Sequence, residues 1–309
     1  MKNALVFGVC EEMGKHLCQA LIEQDWEVMG VIKENEINAP VLGNLTLVEL
    51  SHTDLDFLYE LVEDVDAIFI HQPETDTNQR NNLIFPLEQI IQLAEFFSLQ
   101  LIITTNKYHI KQNQLPSFAF WHQKKPIKIA LPNKLHDRLY HASQAGVRVL
   151  VMGCGHTLGF THRKCYLGML VKETEHQLIL QSPSEKAMQH NWTYLPDLAK
   201  NVVHIVTHQQ HEFNAFDTIY YSGHTASIND IARCLALSSG KPVIVTSLHW
   251  TIMEFIALFS PLFRSFLKAR TLWQQGGMCP HNTLPLINNG EITHTPLELA
   301  LQKCWEQRH

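Results

Sequence analysis

Apolar residues cluster in short runs that alternate with longer amphipathic stretches. Residues 3–7 (Asn-Ala-Leu-Val-Phe) form a compact apolar run that predicts a buried strand ending at Gly8. Beyond it, Met13, Leu17, Ala20 and Leu21 recur at helical spacing and predict a helix with one buried face. Strands are predicted at Glu27–Ile32, Leu45–Leu50, Ala67–Ile70, Leu101–Thr104 and Val147–Met152. Helices are predicted between them: through Leu55, Leu58 and Leu61 with Thr53 as N-cap, over 80–97 with a break or kink at Pro86, and from Asn133 to Ser143. Residues 106–131 show no periodicity and are expected as a long loop. Repeated strand–helix alternation predicts a parallel sheet covered by helices on both faces, an α/β doubly wound fold. Ligands bind such folds beyond the carboxyl ends of the strands.

The rhythm loosens after residue 160. His176–Gln181, Thr218–Tyr221 and Pro242–Thr246 read as strands, and Pro196–His208 and Ile228–Leu237 as helices. The stretch from His249 is helical and apolar, with Pro261 breaking it. This suggests a core over 1–160 and a mixed segment over 161–309. Within that segment, about 192–246 would return to the core, while about 161–191 and 247–309 would form a small, mostly helical cap on the substrate side.

Composition narrows the function classes. The 309 residues carry a formal charge of −6, with no long run of Lys or Arg, which argues against a nucleic-acid partner. No stretch of 18 uncharged apolar residues occurs, so stable membrane insertion is not expected. The seven cysteines lack CxxC spacing, and the amino terminus turns acidic at Glu11 and Glu12; both fit a reduced, cytoplasmic setting. The sequons at Asn44 and Asn191 would then stay unmodified. The nearest metal-type spacings, His208-Gln-Gln-His211 and Cys279-Pro-His281, lack a second matching pair, so no metal site is expected. There is no GxSxG elbow and no Walker loop.

The segment Gly8-Val-Cys10-Glu11-Glu12-Met13-Gly14 joins the first strand to the first helix. A phosphate can rest there, because the first-turn amides of a helix have no intrahelical partner and the helix dipole favours negative charge. Gly8, Cys10, Glu11, Met13 and Gly14 are therefore the candidate dinucleotide-binding residues. Glu11 stands midway between the two glycines. Its carboxylate would oppose a diphosphate, since like charges about 4 Å apart repel by roughly 4 kcal/mol at an effective dielectric of 20. At the end of the second strand, Lys33 favours NADP, whereas Glu34 keeps NAD open.

Nearly the whole chain resembles the NAD-dependent epimerase/dehydratase family of extended and atypical short-chain dehydrogenases. The likeness rests on Leu5 through Leu17, Asp64 through His71, Ile102 through Tyr108, Val147 through Gly159, Trp192 through Ala199 and Leu258 through Arg264. It implies a Rossmann fold, with His71 ending the strand under the cofactor. It also implies a Tyr-x-x-x-Lys dyad, whose lysine holds the nicotinamide ribose and lowers the tyrosine pKa. Lys134 matches the lysine, but Ala130 stands four residues before it. None of Tyr59, Tyr108, Tyr140, Tyr166, Tyr194, Tyr220 and Tyr221 has lysine four residues later. The standard dyad is absent.

Tyr108 and Thr105, after the fifth strand, and His156, after the sixth, are the side chains left to move a proton or orient substrate. For each, a purely structural role competes: a packed loop aromatic, a strand-end hydroxyl, a surface or capping histidine. The amphipathic stretch Trp250–Phe259 fits a buried cap or a homodimer face. Two functions stay open. One is an NAD(P)-dependent oxidoreductase or epimerase acting on a small or sugar-nucleotide substrate. The other is a catalytically inactive dinucleotide-binding sensor or partner subunit, motivated by Glu11 and Ala130.

Overall fold

The computed structural model describes residues 2–33, 40–51, 55–72, 87–105, 109–110, 129–160, 165–208, 213–221, 223–259, 267, 270, 273 and 293–308. These fall into two compact units. The first holds the described residues of 1–114, 127–153 and 195–220; the second holds those of 115–126, 154–194 and 221–309.

The first unit is built on a seven-stranded sheet. Its strands are β1 (Lys2–Phe7), β2 (Trp26–Lys33), β3 (Leu45–Leu50), β4 (Ala67–Gln72), β5 (Gln100–Thr105), β8 (Arg148–Cys154) and β13 (Phe216–Tyr221). Their order is β13-β8-β5-β4-β1-β2-β3. The six strands from β8 to β3 pair in parallel. The chain therefore winds outward from β1 in both directions, and the expected doubly wound fold is present. The order reverses between β1 and β4, which makes that gap the natural ligand crevice.

Four consecutive residues of β4, Ala67–Ile70, are fully buried. A parallel sheet covered on both faces needs such unbroken apolar runs. Each Ile or Phe buried in this way contributes about 1.5–3 kcal/mol. Helices α1 (Glu12–Ile22), α2 (Leu55–Val62), α3 (Leu87–Phe97), α4 (Asn133–Gln144) and α6 (Leu195–His208) belong to this unit. Helix α1 buries Met13, Leu17, Ala20 and Leu21, the face read from the sequence. It packs on α6, fastened by Lys200–Glu23 at 2.9 Å and, beside it, Trp26 donating to Thr207 at 3.1 Å.

The 106–131 stretch is less featureless than expected: β6 (His109–Ile110) pairs antiparallel with β7 (Ile129–Ala130). Two-residue strands carry no readable alternation, so the pattern could not signal them. Thr53, Pro86 and Pro261 lie outside the described residues.

The second unit contains α5 (Tyr166–Leu170), α7 (Ile228–Ser239), α8 (Trp250–Ala257) and α9 (Leu297–Glu306). It also holds two small sheets. One joins β10 (Val171–Glu173), β11 (Leu178–Ser182) and β15 (Val243–Ser247); the other joins β14 (His224–Ser227), β12 (Gln189–Thr193) and β9 (His156–Thr157). Trp192, Trp273 and Phe160 lie in its core. Helix α8 buries Met253 and Ala257 and exposes Ile252 and Phe255. Among the described residues, no helix is long and apolar enough to cross a membrane.

Candidate functional site

Because the strands are parallel, their carboxyl ends share one edge of the sheet. That edge carries Gly8 after β1, Lys33 at the end of β2, His71 at the end of β4 and Thr105 at the end of β5. Crossover helices run back against the strands, so α4 opens on the same edge, and Lys134 is its second residue. The topology thus brings together every described residue singled out from the sequence in this unit. Tyr108 and Glu34 lie outside the described residues.

The turn from β1 into α1 is tight. Gly8 has φ +80°, and its carbonyl accepts the Glu11 amide at 2.9 Å. Gly14 lies directly over it: a Cβ on Gly14 would stand 2.1 Å from the Gly8 oxygen. Only glycine permits this approach of helix to strand end. Glu11 is the N-cap, with φ −80° and ψ 155°, and its side chain makes no capping hydrogen bond to the first turn. The side chain stays close, however, with its Cγ 3.9 Å from where a Gly8 Cβ would be. The backbone at position 11 is ordinary extended conformation, so replacing glycine there costs no strain.

Other members of the set divide by burial. Cys10 and Glu11 are half-buried, whereas the Met13 side chain is packed in the core, leaving only its backbone to serve a ligand. His16 on the same helix is pushed down to about 4, mainly by burial and then by the Lys15 charge. It is neutral at physiological pH and adds no positive charge beside the turn. Lys33 is exposed.

At the ends of β4 and β5 both strands switch from apolar to polar at the same register. His71 lies opposite Thr104, and its Nδ1 is 2.9 Å from the Thr104 hydroxyl. Thr104 went unnoticed in the sequence; the signal was the paired change Ile70→His71 and Ile103→Thr104 along the two strands. Thr105 is fully buried, opposite Gln72 and Gly153.

Lys134 is exposed on the first turn of α4. The helix is fixed to α3 by Arg138, which donates to Glu95 at 2.6 and 2.8 Å and to Glu88 at 2.8 and 3.0 Å. The bond from Arg138 holds the Glu95 carboxyl below the usual carboxylate range. Helix α4 begins only at Asn133, with Pro132 as N-cap. Ala130 lies in β7, outside the helix, so the helical face on which a dyad tyrosine would precede Lys134 does not exist here.

His156 belongs to the second unit, where its ring stacks on Trp273 at 3.7 Å with an interplanar angle of 1°. Burial, and then the neighbouring His190, push it down to about 3. It is a half-buried ring packed among aromatics rather than an exposed one.

Solved structures share this fold. NmrA, described as a negative transcriptional regulator in complex with NADP, aligns over 99% of this chain and 91% of its own, at 11% identity and TM-score 0.60. A nucleoside-diphosphate-sugar epimerase from Staphylococcus aureus aligns over 98% and 100%, at 16% identity and TM-score 0.62. The Bordetella bronchiseptica enzyme WbmH in complex with NAD+ aligns over 81% and 86%, at 17% identity and TM-score 0.51. Comparison with curated proteins finds no match. The sequence profile of the NmrA-like family matches residues 1–263, from before β1 to past α8, and the chain belongs to that family.

Proposed function

We propose that this chain binds NADP or NAD in the crevice beyond β1 and β4. We further propose that it acts as an oxidoreductase or epimerase on a small or sugar-nucleotide substrate, with a proton donor other than the family tyrosine. The observation that carries this is the Gly8–Gly14 contact. At the mouth of α1 a Cβ on Gly14 would stand 2.1 Å from the Gly8 oxygen, so only glycine lets helix and strand end meet there, and the N-cap side chain makes no capping hydrogen bond; the first-turn amides fit a diphosphate. NADP-bound and NAD-bound proteins among the structural neighbours support a nicotinamide dinucleotide.

Each residue then has a task. The amides of Met13 and Gly14 would hold the diphosphate, and Gly8 would let it approach. Lys33, exposed at the end of β2, supports a 2′-phosphate and hence NADP. Lys134 would hold the nicotinamide ribose through its ammonium group. His71, oriented by Thr104, would line the crevice floor. When bound, the nicotinamide supplies hydride transfer. With alanine at 130, the proton would come from Tyr108, three residues beyond the end of β5, and buried Thr105 would support the strand end rather than touch substrate.

Fluorescence titration of the purified protein with NADPH and NADH tests the binding. Saturable binding, tighter for NADPH, is expected. A panel of alcohols, ketones and sugar nucleotides then tests turnover, with Tyr108→Phe expected to abolish it at unchanged cofactor affinity. Binding without turnover would replace the enzyme with the sensor. Failure of both nucleotides to bind would remove the proposal.

A further inference from the structure

The second unit contains a pair of imidazoles that the dinucleotide chemistry does not use. His224 opens β14 and His294 lies three residues before α9. Their ring centroids are 4.5 Å apart with an interplanar angle of 41°, and they offer ring nitrogens within 4.8 Å of each other. We propose that His224 and His294 form a binding site for a divalent transition metal ion of the zinc type.

The fold holds His224 firmly. Gly223, at φ +57°, packs so close to β12 that a Cβ would stand 2.1 Å from the Trp192 carbonyl oxygen. Strand β14 therefore starts hard against β12, with His224 in register with Trp192. Thr225 donates to the Asn191 side chain at 3.2 Å, and Trp192 donates to the Ala226 carbonyl at 3.0 Å. At the far end, Ser227 and Asp230 form a capping box that starts α7. His224 is only 7% exposed and starts a strand fixed by its pairing with β12.

His294 is exposed but tethered. Helix α9 begins at Leu297 and is anchored by buried Ala300, Leu301, Cys304 and Trp305. One ring is thus rigid and buried, and its neighbour can adjust from the solvent side.

Imidazole is a preferred ligand of zinc, copper and nickel ions. Two imidazole nitrogens bound to a tetrahedral ion at 2.0–2.1 Å lie about 3.4 Å apart. The ring nitrogens, within 4.8 Å of each other, would close to that value on a bound ion. Sequence spacing could not reveal the pair, because 70 positions separate its members.

Isothermal titration of the full chain with zinc chloride is the test, with Co(II) as a spectroscopic substitute. One strong equivalent is expected, weakened at least tenfold by His294→Ala and by His224→Gln. His208→Ala serves as control. It removes one ring of the His204–His208 pair on α6, whose centroids are 4.8 Å apart, and should leave the strong equivalent unchanged. Zinc should raise the melting temperature of the wild type and of the control, but not of His294→Ala. The exposed His294 variant decides the matter if His224→Gln fails to fold. Absence of zinc uptake by the wild type, or equal uptake by His294→Ala, would overturn the site.

Discussion

The turn at residues 7–14 and the approach to α4 at 129–134 both depart from the dehydrogenase pattern, with opposite consequences. At the turn, the departure is Glu11. The backbone there is ordinary, while the two positions whose geometry demands glycine, 8 and 14, keep it. The change is confined to one carboxylate. Before α4, the departure is Ala130, and the helix itself starts three residues later. Both the phenol and the helical register that would aim it are gone. The glycine geometry of the turn persists, whereas the standard tyrosine and its helical register do not.

The largest expected effect tests the first half of that contrast. Gly14→Val drives a side chain into the Gly8 carbonyl and should destabilise the fold by about 3 kcal/mol, the upper range for overpacking. Nucleotide binding should vanish with it. Thermal melts and a NADPH titration check both, and a variant with wild-type melting and affinity would break the account of the turn.

Next is a pH effect, expected to be strongest from the aromatic cluster of the second unit. His156 and His190 in the second unit are held at about 3 and about 4, chiefly by burial. Unfolded histidine titrates near 6.5. The unfolded chain therefore binds protons that the folded chain refuses. The stability these rings contribute is complete above about pH 6.5 and drains away as pH falls toward 4. Urea melts between pH 7 and 5 should show a falling midpoint, and His190→Phe should flatten the slope. The first unit adds His16 on α1 and His204 of the His204–His208 pair on α6, both lowered chiefly by burial, so a midpoint independent of pH would contradict the account of these rings.

Glu11→Gly should tighten dinucleotide binding about tenfold, equivalent to 1.4 kcal/mol, with little change in melting. Unchanged affinity would mean that the carboxylate turns away from the diphosphate. The smallest effect is expected from Ala130→Tyr. Because position 130 lies in β7 and not on α4, the new phenol should leave turnover within about twofold of wild type. A large gain would show that the dyad can be rebuilt without helical register.

What was legible in the sequence follows from range. Runs such as Ala67–Ile70 are buried on both faces, so their composition alone marks them. The helical spacing of Met13, Leu17, Ala20 and Leu21 reports a face buried along its length. The Gly8–Gly14 turn is likewise local. Strands β9, β12 and β14 were missed because they are short and polar, as in Gln189–Thr193, and exist only through pairing with distant residues. The His71–Thr104 contact and the stacking of His156 on Trp273 also join residues far apart in the chain. Glu11 could be read as an obstacle from its charge, but its extended backbone and absent capping bond required coordinates.

The central claim is that a diphosphate rests on the first-turn amides of α1. Amide chemical-shift mapping of the isotope-labelled protein during NADPH addition tests it most directly. The account predicts saturable shifts that are largest at Met13 and Gly14. NADPH that saturates the protein while leaving those two amides unmoved would contradict it.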